Sequence, residues 1–171
     1  MSESLDSTAL ILAERLGETL RHAGVKLVTA ESCTGGGVAQ AITEVAGSSA
    51  WFERGFITYS NLSKQQMLRV SESTLKQHGA VSEATVREMV EGALSSSAAQ
   101  VALAVSGIAG PDGGTADKPV GTVWFAWGMK GGETQAQRHY IAGERAEVRA
   151  KSVIIALQGV INILNKLTKI A

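Results

Sequence analysis

Three stretches of the chain place nucleophiles, potential bases and glycines directly after an apolar run. The first, Glu31-Ser32-Cys33-Thr34-Gly35-Gly36-Gly37, offers two hydroxyls and a thiol ahead of three glycines. Read as a strand end, a tight turn and a helix start, it could present backbone N–H groups to an anion or to the oxyanion of an acyl-transfer intermediate. The same residue types also cap helices and make turns with no chemistry at all. The second stretch, Thr58-Tyr59-Ser60-Asn61-Leu62-Ser63-Lys64, gathers a phenol, a carboxamide and an amine. Lys64 can act as a general base only where burial or nearby cations lower its pKa, and otherwise it is a solvated surface lysine. The local Ser-x-x-Lys dyad of penicillin-recognising enzymes does not apply, since Asn61 stands three before Lys64, so a serine partner must come from elsewhere in the fold. The third stretch, Ser106-Gly107-Ile108-Ala109-Gly110-Pro111-Asp112-Gly113-Gly114, has glycines that permit close backbone approach to a ligand. It lacks the Gly-Lys-Ser/Thr ending of a phosphate-binding P-loop. Asp112 either orients a substrate hydroxyl or makes a turn.

Other chemistries find less support. None of the three histidines is placed by sequence beside Ser32: His22 ends a helix, His78 precedes a glycine and His139 falls in a late strand. A Ser-His-Asp triad therefore has to be assembled entirely by the fold. No HxH, HExxH or clustered Asp/His pattern suggests a metal. Cys33, the single cysteine, excludes an intramolecular disulfide and a CxxC zinc site.

The elements that must position these segments follow from periodicity. Leu5, Ala9, Leu12, Leu16 and Leu20 mark an amphipathic first helix ending at His22-Ala23-Gly24. Lys26–Ala30 and Gly55–Ser60 read as strands, with Asn61–Gln66 a loop or short helix after the second. Val38, Ala41, Ile42 and Val45 share a helix face. Ser82 is placed to cap a helix over Glu83–Ala98, stapled by Val81 and Val86. Val101–Val105 is almost wholly apolar, as expected for a strand buried on both faces. Thr122–Trp127 and Thr134–Ile141 are joined by the hairpin-like Lys130-Gly131-Gly132. A closing helix over Arg145–Leu167 carries more apolar residues than a one-faced helix needs, which suits either a core position or a subunit interface. The expected architecture is a single α/β domain over residues 1–171, with a mixed, mostly parallel sheet covered by helices on both faces. In such sheets ligands gather at the carboxyl ends of the strands.

Length and charge fit that architecture. A chain of 171 residues forms one core, and two domains would each be too small. Sixteen Lys and Arg balance sixteen Asp and Glu, so no positive field exists to hold nucleic acid or an anionic membrane. The acidic, polar start Met1-Ser2-Glu3-Ser4 is unlike a signal peptide, and no uninterrupted apolar run approaches the roughly 20 residues of a membrane span. A cytoplasmic location is expected.

Five motifs in order carry a family resemblance: Thr29-Ala30-Glu31-Ser32-Cys33-Thr34-Gly35-Gly36, Gly55-x-x-x-Tyr59-Ser60-Asn61-x-x-Lys64, Gly79-Ala80-Val81-Ser82, Ser106 to Gly114, and Lys118-Pro119-Val120-Gly121-Thr122-Val123. Together they closely resemble the CinA carboxy-terminal domain family, and within it the stand-alone nicotinamide-nucleotide amidohydrolases. The domain that precedes this one in longer family members has no counterpart in the sequence. The resemblance implies hydrolysis of the carboxamide of nicotinamide mononucleotide to nicotinate mononucleotide and ammonia, a salvage step toward NAD. It implies a serine–lysine acyl-enzyme mechanism with no metal and no cofactor. Ser32 would be the nucleophile, Lys64 its base, and Tyr59 a proton relay or a holder of the lysine. Backbone donors after Ser32, with the Thr34 hydroxyl, would stabilise the oxyanion, and Thr34, Gly35 and Gly36 would belong to the substrate-binding set. Asn61, Ser106, Gly107 and Asp112 would contact substrate. A mononucleotide also needs a cationic partner for its phosphate, and Arg145 with Arg149, one helical turn apart, is the candidate pair. A homodimer is expected, with no nucleic-acid or membrane partner.

Two other readings compete. One is a non-catalytic regulatory module binding a pyridine nucleotide through the same glycine loops. The other is a cysteine enzyme using Cys33.

Overall fold

In the computed structural model the described residues are 2–169. The elements run α1 (Ser2–Ala23), β1 (Leu27–Glu31), α2 (Gly37–Thr43), β2 (Phe52–Ile57), α3 (Asn61–Leu68), α4 (Glu72–His78), α5 (Glu83–Ser95), β3 (Val101–Gly107), β4 (Thr122–Met129), β5 (Gln135–Tyr140) and α6 (Arg145–Thr168). Five strands form one sheet in the order β2-β1-β3-β4-β5. β1 pairs in parallel with β2 and β3, while β4 is antiparallel to both β3 and β5. Four strands thus point one way and β4 the other, which is the mixed, mostly parallel sheet expected.

Alternation along β3 builds two unlike faces. Val101, Leu103 and Val105 join a core with Leu16 and Leu20 of α1 and Leu157, Val160 and Ile161 of α6. Ala102 and Ala104 face the other way, with Val86, Met89, Val90 and Ala93 of α5. Small residues on that side let α5 lie close to the sheet. Both faces are covered, as a strand with no polar residue before Ser106 requires.

α6 has the length and composition of a membrane-crossing helix, but half of its apolar window is buried inside the domain. Its Val148, Val153, Ala156, Leu157, Ile161 and Leu164 belong to the chain's own core. Core packing therefore accounts for its apolarity, and the helix supplies no independent argument for a subunit interface.

Two local expectations shift, and a further helix, α4, appears where none was expected. β2 starts at Phe52 and stops at Ile57, because its register is set by pairing Leu27 with Phe52 and Glu31 with Ile57. Asn61–Leu68 is a full helix, nucleated by a capping box between Ser60 and Ser63. α4 has no apolar period to announce it; Ser71 caps it, and Glu88 from α5 accepts from the Ser71 N–H at 2.7 Å.

The consequence for the site lies in register. Glu31 pairs with Ile57 on one side and with Val105 on the other. Three adjacent parallel strands therefore end at one level, and the segments after them open side by side. Ser32 N–H donates to Val105 O at 3.0 Å and Thr58 N–H to Glu31 O at 2.8 Å, which ties the three ends together.

Candidate active site

Lys64 sits in the first turns of α3, and its side chain runs back under the end of β1. It is 1 % exposed. Its Nζ donates to Ser32 Oγ at 2.9 Å and to Thr58 O at 2.7 Å. Neither partner is anionic, so no charge bonded to the amine offsets its desolvation. Burial accordingly lowers its pKa to about 8, against a smaller opposing effect of Cys33. The serine partner is supplied by another loop, as the absent Ser-x-x-Lys spacing required.

A cavity of about 170 Å³ opens in front of this pair, lined in part by Ser32, Cys33, Tyr59, Lys64, Ser106 and Arg145. It is smaller than the about 300–1,000 Å³ of a typical small-molecule pocket, so it has room for only part of a drug-sized ligand. Two larger grooves, of about 540 and 690 Å³, contain neither Ser32 nor Lys64. Size alone would have picked the wrong place; the nucleophile–base contact identifies this one.

The loop after Ser32 is fixed from within by Glu31. This carboxylate is fully buried and accepts from Thr34 Oγ1 at 2.7 Å, Val38 N–H at 2.8 Å and Ala39 N–H at 3.0 Å. The expectation that N–H groups at the helix start would face a ligand is corrected on that point, since Glu31 occupies them. Thr34 is corrected likewise: its hydroxyl proton goes to Glu31 and is not free for an oxyanion. Gly35 N–H turns back to Ser32 O at 3.0 Å. Gly36 takes φ +99°, a backbone conformation that L side chains rarely adopt, so the turn favours glycine here.

The remaining expected residues divide. Ser106 is buried, donates to Ala80 O at 2.8 Å and lines the cavity together with Gly107. Tyr59 stands at the mouth, 61 % exposed, and its hydroxyl accepts from Arg145 Nη2 at 3.0 Å. The lysine is held by the Thr58 carbonyl, so Tyr59 is not its support. Arg145 also donates to Gly110 O at 2.8 Å, which fixes its guanidinium beside the third loop. Arg149 lies on the far side of the Ser32 loop, donating to Cys33 O at 3.1 Å and Thr34 O at 3.2 Å. The two arginines therefore serve different sides of one loop and do not form a joint anion site. Asn61 and Asp112 are exposed and outside the cavity lining.

Cys33 is buried, and desolvation raises its pKa to about 11, so it is a neutral thiol at physiological pH. Among the described residues no group of three or more His, Cys, Asp or Glu side chains is placed to hold a metal ion. Sequence reading passed over Glu31 and the Thr58 carbonyl. An acid immediately before the nucleophile was a visible signal for the first; the second is a main-chain atom that no residue type announces.

The chain is similar to known proteins along nearly its whole length. The CinA C-terminal domain family profile matches residues 10–164. A nicotinamide-nucleotide amidohydrolase PncC of Escherichia coli K12 is 55 % identical over 153 residues, covering 90 % of this chain and 93 % of its own. One from Pseudomonas putida is 54 % identical over 152 residues, covering 89 % and 94 %. A crystal structure of the competence/damage inducible protein CihA from Agrobacterium tumefaciens superposes with a TM-score of 0.89 at 45 % identity, covering 92 % of this chain and 96 % of that one.

Proposed function

Because this chain belongs to the CinA C-terminal domain family, we propose that it is a nicotinamide-nucleotide amidohydrolase that hydrolyses the carboxamide of nicotinamide mononucleotide through a Ser32–Lys64 acyl-enzyme. The observation that carries the mechanism is the 2.9 Å contact between Lys64 Nζ and Ser32 Oγ, in a site whose burial lowers the pKa of the amine. With a pKa of about 8, about one lysine in ten is unprotonated at pH 7 without any further activation.

In the first step the neutral Lys64 takes the Ser32 proton as Oγ attacks the carboxamide carbon. The tetrahedral oxyanion meets N–H groups of the Ser32 loop. Those of Gly35, Gly37, Val38 and Ala39 already have acceptors, which leaves Cys33, Thr34 and Gly36 as donors. Lys64 returns the proton to the departing nitrogen, the C–N bond breaks and ammonia leaves. A water then attacks the acyl-serine with Lys64 as base, and nicotinate mononucleotide is released. The pair completes both half-reactions with its own acid–base chemistry, in keeping with a reaction that uses neither metal nor cofactor.

The narrow cavity suits the pyridine carboxamide, with Ser106 and Gly107 along one wall. The ribose phosphate extends to the mouth, where the Arg145 guanidinium, already aligned by Gly110 O and Tyr59, meets the phosphate. Thr34, Gly35 and Gly36 shape the loop through their backbone. Asn61 and Asp112 contribute to binding only outside the cavity. We also place the enzyme in the cytoplasm, in NAD salvage, as a homodimer; Ile57, Leu62 and Met67, exposed along the β2–α3 edge beside the mouth, suit a contact between copies.

The test is ammonia release from nicotinamide mononucleotide by the purified chain with chelator present. Chelator-resistant turnover supports the proposal. Absence of turnover, with the nucleotide still bound, would favour the regulatory-module reading.

A further inference from the structure

We propose that Arg149 is a positioning residue that turns the Thr34 N–H toward the oxyanion formed at Ser32, by holding the Cys33 and Thr34 carbonyls from behind the loop. The inference rests on the serine nucleophile proposed above.

The geometry begins with the peptide plane. In a trans peptide the carbonyl of one residue and the N–H of the next point in opposite directions. Arg149 Nε binds the Cys33 carbonyl at 3.1 Å, so the Thr34 N–H is directed away from Arg149. Nη2 binds the Thr34 carbonyl at 3.2 Å, and the Gly35 N–H correspondingly turns away to Ser32 O at 3.0 Å. One guanidinium thus binds two successive peptides; the second is also held by the Gly37 N–H on the Thr34 carbonyl at 3.0 Å, so the Cys33–Thr34 peptide is the one whose orientation depends on Arg149.

The two sides of the loop are distinct spaces. The cavity before Ser32 is lined by Cys33 and Arg145 and not by Arg149. Arg149 instead borders the groove of about 540 Å³ behind the loop, with Thr34, Gly37, Gln40 and Val153. A side chain that faces this groove and bonds only main-chain carbonyls is badly placed to touch a substrate held at Ser32. It is well placed to fix what the loop presents on the other side. A cationic donor on a peptide carbonyl also polarises that peptide, which strengthens the N–H at its other end. Glu31 completes the device with opposite polarity, collecting donors of the same loop while Arg149 collects acceptors.

Arg149→Ala tests this, because the groove gives exogenous guanidinium access to the vacated position. Losing one aimed oxyanion donor lowers kcat by about 10²–10³-fold. We expect a fall in that range with KM little changed, and partial recovery of kcat on adding guanidinium at concentrations far below denaturing, but not on adding ammonium. Arg149→Met, which keeps the bulk and removes the donors, should lose kcat alike and serves where the alanine variant does not fold. A second readout is free of the substrate assignment: the rate at which a fluorophosphonate labels Ser32, where an Oγ–P bond forms, the P–F bond breaks, fluoride leaves and Lys64 takes the proton. Labelling should slow in both variants and recover with guanidinium in Arg149→Ala. Unchanged kcat and labelling in a folded variant, a raised KM with kcat intact, or a loss that guanidinium does not reverse would overturn the inference. A wild type that labels but leaves nicotinamide mononucleotide intact would sink the substrate reading alone, with the labelling comparison still deciding the role of Arg149. A wild type that does neither overturns both.

Discussion

Lys64 Nζ stands 2.9 Å from Ser32 Oγ and 2.7 Å from the Thr58 carbonyl, in a site that contains no carboxylate partner for the amine. The pair is joined across 32 residues of sequence by the register of two parallel strands. Because the two groups act on a single proton, their removal should not be additive. Ser32→Ala and Lys64→Ala are each expected to lower kcat by about 10⁴-fold or more, and the double variant to be no worse than the poorer single one. Single-turnover kinetics on the three variants check this; multiplied losses would show that the groups act separately.

The lowered pKa of Lys64 fixes a pH dependence. Only the neutral amine accepts the serine proton, so kcat/KM should rise tenfold per pH unit below about 8 and level off above it. A pH–rate profile that is flat between pH 6 and about 8 would contradict a lysine base.

The same shift should appear in stability. Between about 8 and the ordinary lysine value of 10.5 the unfolded chain holds a proton that the folded chain has released. Stability therefore rises with pH through that window, by up to roughly 3 kcal/mol, and the desolvation penalty is present below it. Denaturant melts of wild type and Lys64→Met should diverge in favour of the wild type from pH 8 to 10.5, and parallel curves would refute the assignment.

Arg145→Ala is expected to raise KM for the mononucleotide about 10–100-fold, the range of one charged hydrogen bond, with a smaller effect on kcat. The corresponding riboside, which has no phosphate, should be insensitive to the change. Equal losses for both substrates would assign Arg145 to the loops and not to the phosphate.

Glu31→Gln keeps size but replaces one accepting oxygen by a donor facing N–H groups. A loss of stability of about 1–3 kcal/mol is expected, from buried donors left without acceptors. Thermal melts give this directly. Amide exchange should quicken at Val38 and Ala39, whose N–H groups Glu31 now holds.

Much of the site was legible in residue types. Residue types offered Ser32, Cys33 and Thr34 alike as nucleophiles and left Lys64 either a base or a surface lysine, so the choice of Ser32 with Lys64 rests on the family resemblance; the glycines at 35 and 36 match a turn that brings the chain back on itself. The apolar run at Val101–Val105 declared a strand covered on both sides, and the faces came out as the alternation of large residues with alanines implied. These features are local: they depend on side-chain size, backbone freedom and period, which a linear sequence carries in full.

What the sequence could not carry is which distant groups share a space. Arg145 and Arg149 are neighbours by helical spacing, yet the Ser32 loop passes between their targets and sends one to Tyr59 and the other to the Cys33 and Thr34 carbonyls. Thr34 looked like an oxyanion donor until the fold buried Glu31 within 2.7 Å of its hydroxyl. α4 depended on a cap and on Glu88 from another helix. Each was decided by three-dimensional competition for a proton or an acceptor, and only the tertiary structure fixes which partner is near enough to win.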